Sequence, residues 1–381
     1  MSGKSLDRSI LRGESFELFR AAIRSPATRD VYERRLIGFL REINLVPDDF
    51  VAMAKRNSSS VEKMIITFVS KQNSRAENGE ITTGTVVNCL KAVRLLLEMN
   101  DVSLNWRKIR RVLPRARRYA LDRIPTVEEI HEIIEASDIR EKALTLAFVS
   151  SGIREGAIER LDVNDYEQIR RDEKIVAGRL VIYNGDPEMY ISFLTPETCH
   201  AVDKYLEFRR EHGEEIKKNS PLFRDKFDPI KGLYGHGKDN SKEVVIPMTG
   251  PAVRQYYNRL LFSIGIRNQR KRRHDFSVHG FRKFFKTKAE IGGMKPINIE
   301  TLMGHSTGIS DSYYRPTESD LLEDYLKVVD HLTIKGESKL KTQVEEIKQH
   351  DTVHADAIAT LSDQVMNLIV EINKLKNEQE R

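Results

Sequence analysis

A single β-hairpin signature stands in a chain whose other periodicities are helical, and it restricts the fold to a mainly α architecture carrying a small sheet. Ile175 to Tyr183 and Met189 to Leu194 are apolar runs, and Asn184-Gly185-Asp186-Pro187 joins them. Asn-Gly between such runs supplies the positive φ that a tight hairpin turn demands. No convincing strand precedes residue 150. Tyr32, Leu36, Phe39, Leu40 and Ile43 instead recur at helical spacing behind Thr28, which is the expected N-cap. Val61 to Val69 and Thr85 to Met99 read as further amphipathic helices, with Val86, Leu90, Val93 and Leu97 on one face of the second. Thr126 and Glu129 form a capping box that opens a new helix and a new domain. Leu144 to Val149 is a buried helical stretch, and Thr195 caps a helix with Pro196 in its first position. Helices resume from Thr249 to about residue 332. Residues 231–243 are Gly-rich and polar, but no apolar strand leads into them. They read as a surface insertion rather than a phosphate loop.

A chain of 381 residues exceeds what one core normally holds. The expected layout is an N-terminal arm over 1–24, a helical domain over 25–118, a basic linker over 119–125, a larger domain over 126–332 and a final helix over 337–381. That last segment has its own logic. Ile358, Val365 and Ile372 alternate with Leu361, Leu368 and Leu375 at a 3.5-residue period, which predicts a left-handed coiled coil. β-branched residues at a with Leu at d favour a parallel dimer, and the alternative is a helix folded back on its own chain. Asp351 and His354 break the seam, and His350 with His354 lacks a third ligand, so no metal is expected.

Lys and Arg number 63 against 57 Asp and Glu, a net charge of +6. The placement matters more than the sum. Arg107, Lys108, Arg110, Arg111, Arg115, Arg117 and Arg118 fall in one acid-free run, and Arg267, Arg270, Lys271, Arg272 and Arg273 fall in another. Two such runs on one chain favour contact with a phosphate backbone. Residues 337–381 carry a net −3 and lie outside that surface. No stretch of 18 apolar residues exists, and the charged N-terminus has no apolar signal core. Two cysteines, Cys89 and Cys199, exclude a disulfide scaffold and a multi-thiolate metal site. The expected location is cytoplasmic, on the nucleoid when DNA-bound, with no membrane, metal or other cofactor.

The residues suited to chemistry lie between 150 and 315. Arg154 follows the buried helix in Ser151-Gly152-Ile153-Arg154. His279 and Arg282 stand at i, i+3 of a helix, His305 follows Gly304, and Tyr314 stands nine residues beyond His305, beside Tyr313. Arg, His-x-x-Arg, Gly-His and Tyr in that order, behind an all-helical domain, resemble the tyrosine recombinase family, which includes phage-type integrases and Xer-type recombinases. The resemblance spans about residues 25–332. It implies a helical core-binding domain and an α-rich catalytic domain of the DNA breaking-rejoining fold, closed as a clamp around the duplex. It also implies cleavage and rejoining of DNA through a 3′-phosphotyrosine. Tyr314 is then the nucleophile that keeps the phosphate bond for religation. Arg154 and Arg282 hold the non-bridging oxygens bidentately, which a point charge cannot do. His279 assists proton transfer, and His305 donates to the phosphate. The resemblance also implies a tetramer on synapsed DNA, and the coiled coil, which is not a usual feature of the family, is expected to join protomers in pairs.

Two positions depart from the family pattern. Asn184 stands where the family places a hairpin lysine, leaving Lys174 and Arg179 as stand-ins, and Ala157 stands where an acid is usual. Two other readings use the same residues: a type IB topoisomerase-like strand transferase, and a catalytically impaired DNA-binding or architectural protein.

Overall fold

The computed structural model describes residues 8–115, 117, 123–225, 245–267, 276–306, 308 and 313–334. The heptads of 337–381, the 231–243 insertion, most of the linker, and Arg118, Arg270, Lys271, Arg272 and Arg273 lie outside the described residues. The chain divides into two compact units, Met1–Tyr119 and Ala120–Arg381.

The first unit is helical: α1 (Glu14–Ala21), α2 (Pro26–Ile43), α3 (Pro47–Arg56), α4 (Ser58–Glu77), α5 (Thr83–Glu98) and α6 (Trp106–Arg111). The start of α2 corrects the expected cap. Ser25, not Thr28, is the N-cap, and its hydroxyl accepts the Thr28 amide, with Pro26 in the first position. Proline there costs no hydrogen bond and presets φ, so it moves the helix start back by a turn. A second correction concerns the expected arm. Phe16, Phe19 and Ile23 are buried in the same core as Phe39, Phe50 and Leu97. Asp48 accepts the Ser15 amide at 2.9 Å, and Asn100 donates to the Ser15 carbonyl at 3.1 Å. The i, i+3, i+7 spacing of these three apolar residues makes one helical stripe, which the surrounding charges had obscured.

The second unit begins with α7 (Val127–Glu135), where the Thr126–Glu129 capping box closes from both sides. α8 (Ile139–Ser151) follows, buried over nearly its whole length. A 3-10 helix, Glu155–Arg160, leads to three antiparallel strands in the order β1 (Tyr166–Arg171), β2 (Lys174–Ile182) and β3 (Tyr190–Leu194). The hairpin of β2 and β3 lies where its turn signal places it, but β1 is additional. Its turn runs through Asp172 and Glu173, both at positive φ (47° and 63°), without the glycine that would announce it. Its sequence, YEQIRR, has too little apolar alternation to read as a strand.

Alternation along the sheet separates two cores. Leu180, Ile182 and Leu194 join the cluster built on α8 and α9 (Pro196–Glu211). Ala177 and Phe193 join the other. That second cluster is completed by α11 (His279–Ile291), α12 (Pro296–Leu302), α13 (Glu318–Leu326) and α14 (Val329–Leu332), while α10 (Gly250–Ser263) packs in the first. The Tyr325 hydroxyl on α13 donates to the Ser150 carbonyl at 2.9 Å, pinning the end of α8.

If α1 is part of the core, Phe19→Ala destabilises the first unit by about 3–5 kcal/mol. The single tryptophan, Trp106, packs against that core, so its fluorescence during urea unfolding reports on this unit. A loss below about 1 kcal/mol would restore the arm.

Candidate active site

α8 ends at Gly152, whose φ of +60° is left-handed and whose missing Cβ would stand 2.5 Å from the Phe285 ring. Only glycine suits both demands. The chain turns there so that Arg154 reaches across to the Met303-Gly304 turn, where its Nη2 donates to the Gly304 carbonyl at 3.0 Å. Arg282, in the first turn of α11, approaches the same turn. Its Nη2 donates to the Met303 carbonyl at 2.5 Å and lies 2.7 Å from His305 Nε2, and its Nη1 donates to the Gly152 carbonyl. Arg282 is only 4 % exposed. Burial, reinforced by the neighbouring Arg154 charge, pulls its guanidinium pKa down from the usual arginine value.

Neither arginine forms an ion pair with a carboxylate among the described residues. A guanidinium only donates, so His305 Nε2 must accept from it and the ring proton resides on Nδ1. Nδ1 is bonded to Glu300, whose other oxygen accepts from Lys286, one turn beyond Arg282 on α11. Burial opposes charge on Glu300, but Lys286 and His305 outweigh it and hold the carboxyl below its ordinary value. In this arrangement His305 accepts from Arg282 through Nε2.

Tyr314 occupies a different network. Its hydroxyl donates to Asn298 Oδ1 at 2.8 Å rather than to any of the arginines or histidines. Buried Asn298 in turn donates to Asp324 at 2.7 Å, and Asp324 also accepts from the Lys295 amide (3.0 Å) and Lys327 (2.9 Å). Tyr313 is 86 % exposed. His279 opens α11 and is exposed.

The lysine stand-ins fare differently. Ile182 pairs with Tyr190 at the end of the sheet that meets Gly304, whereas Lys174 pairs with Arg171 at the other end. Eight residues of strand separate Lys174 from Ile182, about 26 Å, so Lys174 is excluded. Arg179 pairs with Phe193, on the opposite face from Tyr190, and its Nε bonds Glu318 at 2.6 Å. The cation at the hairpin turn is Arg160, 3.0 Å from Asp186 and stacked over the Tyr183 ring at 5.1 Å. Ala157 is buried, and Glu155 is paired with Arg254.

Of the basic runs, Arg107, Lys108, Arg110, Arg111, Arg115 and Arg117 are exposed on and after α6, with Lys108 held by Glu62 at 3.2 Å. Arg267 is a correction: it is buried and donates twice to the Phe276 carbonyl (3.1 and 2.7 Å), a structural role. Glu300 and Asn298 escaped the sequence reading, because a glutamate five residues before a histidine and an asparagine on a short helix carry no motif. Among the described residues, no helix is long and apolar enough to cross a membrane.

Neither a family model nor a curated protein sequence matches this chain. Solved structures similar to it include the XerA recombinase (19 % identity, TM-score 0.37, 82 % of this chain and 96 % of that one). The Tn1549 transposon integrase in complex with circular intermediate DNA is another (14 %, 0.46, 80 % and 96 %). A lambda integrase dimer bound to a core site is a third (15 %, 0.47, 81 % and 76 %).

The Glu300 carboxylate sets a pH dependence. A depressed folded pKa contributes stability that is present above the ordinary value of 4.5 and is lost as pH falls through the folded value. Glu300→Gln removes that component. We expect a loss of about 1 kcal/mol at pH 7 and a shallower fall in thermal stability below pH 4.5, measured by calorimetry. Identical pH profiles would refute the linkage.

Proposed function

We propose that this chain is a tyrosine-type site-specific DNA recombinase, which cleaves and rejoins duplex DNA through a 3′-phosphotyrosine. The observation that carries this reading is the pair of guanidiniums, Arg154 and Arg282, held on one turn without a carboxylate partner among the described residues. Two like charges placed together repel, and Arg282 is buried besides. Such an arrangement is relieved by an anion that bridges the two. A phosphodiester gains further charge on its non-bridging oxygens during attack, so preorganised guanidiniums bind that state more tightly than the ground state.

Tyr314 supplies the attacking oxygen, and the leaving group is the 5′-oxygen. The bond to tyrosine keeps the phosphate available for the reverse attack. The Tyr314 hydroxyl is bonded to Asn298, so attack requires that it give up that bond and turn its oxygen to the phosphorus. His305, able to give up its guanidinium partner once an anion competes for Arg282, then turns a protonated nitrogen to the phosphate. His279, at the start of α11, assists the phenol proton. The exposed basic residues of α6 bind the backbone of double-stranded DNA. The heptads of 337–381 support pairing of protomers, and a tetramer would form on synapsed DNA.

The covalent step is tested with DNA from the gene's own neighbourhood, nicked so that the cleaved end diffuses away, and read on a denaturing gel. The expected result is a protein–DNA adduct with the native chain and none with Tyr314→Phe. Adduct persisting in that variant would transfer the role to Tyr313, and intact binding without adduct in the native chain would favour the architectural reading.

Arg110→Glu combined with Arg111→Glu should weaken DNA binding. The slope of log affinity against log salt should fall by about 2, because each arginine neutralises one phosphate and releases its counterion. An unchanged slope in fluorescence anisotropy would remove α6 from the DNA surface.

A further inference from the structure

Tyr190 opens β3 and is bound to the arginine site by its packing. Its ring lies directly on Gly304, where an added Cβ would collide with the ring carbons. Gly304 is also left-handed, at φ +62°, and its carbonyl is the acceptor for Arg154. The ring also meets Tyr183 edge-on at 6.1 Å. The phenol is thus packed between the Met303-Gly304 turn and the hairpin.

Its hydroxyl is the unusual part. The oxygen is buried, and no hydrogen bond of normal geometry reaches it among the described residues, although the Arg282 guanidinium stands close enough to act on the phenol. A buried hydroxyl left unpaired costs stability that phenylalanine would avoid. Every other feature of the position, from ring packing to cross-strand pairing with Ile182, is available to phenylalanine. Burial raises the phenol pKa, and the nearby charges of Arg282 and Arg154 only partly offset this, so the hydroxyl keeps its proton near neutral pH. Arg282 approaches the phenol but can only donate, so it gives the phenol proton no acceptor. The group is thus a proton-bearing donor, beside two guanidiniums that lack a carboxylate partner among the described residues.

We infer that the Tyr190 hydroxyl is a third donor of the phosphoryl site, giving its hydrogen bond to an oxygen of the phosphate that Arg154 and Arg282 clamp. This rests on reading those two arginines as the phosphate clamp. No bond is made or broken by Tyr190. It is a binding group whose acceptor arrives with the ligand, and the unpaired hydroxyl is the stability given up for it.

The test uses the full chain, with inorganic phosphate as the probe. Titration calorimetry compares the native protein with Tyr190→Phe, and Arg154→Ala identifies the part of the signal that belongs to this site. Phosphate binding at the Arg154-dependent site should weaken about tenfold or more in Tyr190→Phe. The melting temperature of that variant should be no lower than that of the native chain, since a purely structural hydroxyl would lower it. Equal phosphate affinities would overturn the inference, as would a lowered melting temperature with unchanged affinity. Absence of any Arg154-dependent phosphate binding would overturn both the clamp and Tyr190's part in it. The covalent-adduct assay separates the two claims: weakened phosphate binding in Tyr190→Phe with no adduct from the native chain would leave Tyr190 standing and reject strand transfer. Adduct formation at the native rate in Tyr190→Phe, with equal phosphate affinity, would reject Tyr190 alone.

Discussion

The burial of the Arg282 guanidinium is the interaction on which the rest of the second unit depends. Taking such a charge out of water costs several kcal/mol unless its donors are satisfied. Its partners come from segments far apart in the chain: the Gly152 carbonyl at the end of α8, the Met303 carbonyl at the end of α12, and the His305 ring beyond it. Displacing any of these leaves a buried donor unpaired, so the ends of α8 and α12 are tied to the first turn of α11. Gly152 and Gly304 follow from this. Each presents a carbonyl to an arginine from a left-handed turn, and each lies against an aromatic ring that leaves no room for a Cβ.

Charge is managed unevenly around this point. The Glu300 carboxylate is bonded to Lys286 and His305, and makes no direct hydrogen bond to Arg282 among the described residues. Positive charge is thus left at the turn, and His305 is held with its lone pair toward Arg282. The same histidine cannot both accept from a guanidinium and donate to an anion through one nitrogen, so ligand arrival and ring rearrangement are coupled. Tyr314 belongs to a second network, centred on Asn298 and Asp324 and built on α12 and α13. The two arginines and Tyr314 are in this way held in separate networks. The proposed chemistry requires them to meet.

Much of the fold can be read directly from local signals. The Thr126–Glu129 capping box and Thr195 with Pro196 act within a few residues and appear in the structure as their spacing implies, and the hairpin forms around Asn184-Gly185, though the positive φ falls on Tyr183 and Gly185 in a longer loop. The failures have local causes as well. Pro26 overrode Thr28 as the marker of a helix start. The stripe of Phe16, Phe19 and Ile23 was diluted by charge, and β1 turns on Asp172 and Glu173 without a glycine.

The candidate site divides along the same line. Arg154, His279, Arg282, His305 and Tyr314 were chosen by residue type and order, which a linear chain displays. Order says nothing of which groups touch. That Lys174 stands at the far end of β2, that Arg267 serves the Phe276 carbonyl, and that Tyr190 reaches Gly304 are consequences of strand register and helix packing. Residue order and spacing were enough for the helical character and the hairpin, and they singled out the arginines, histidines and tyrosine as candidates. Folding in three dimensions was needed to bring Arg154 and Arg282 to one turn, to make His305 an acceptor there, and to bond Tyr314 to Asn298. Those outcomes depend on pairing buried donors with acceptors up to 150 residues away, and no local pattern records such a pairing.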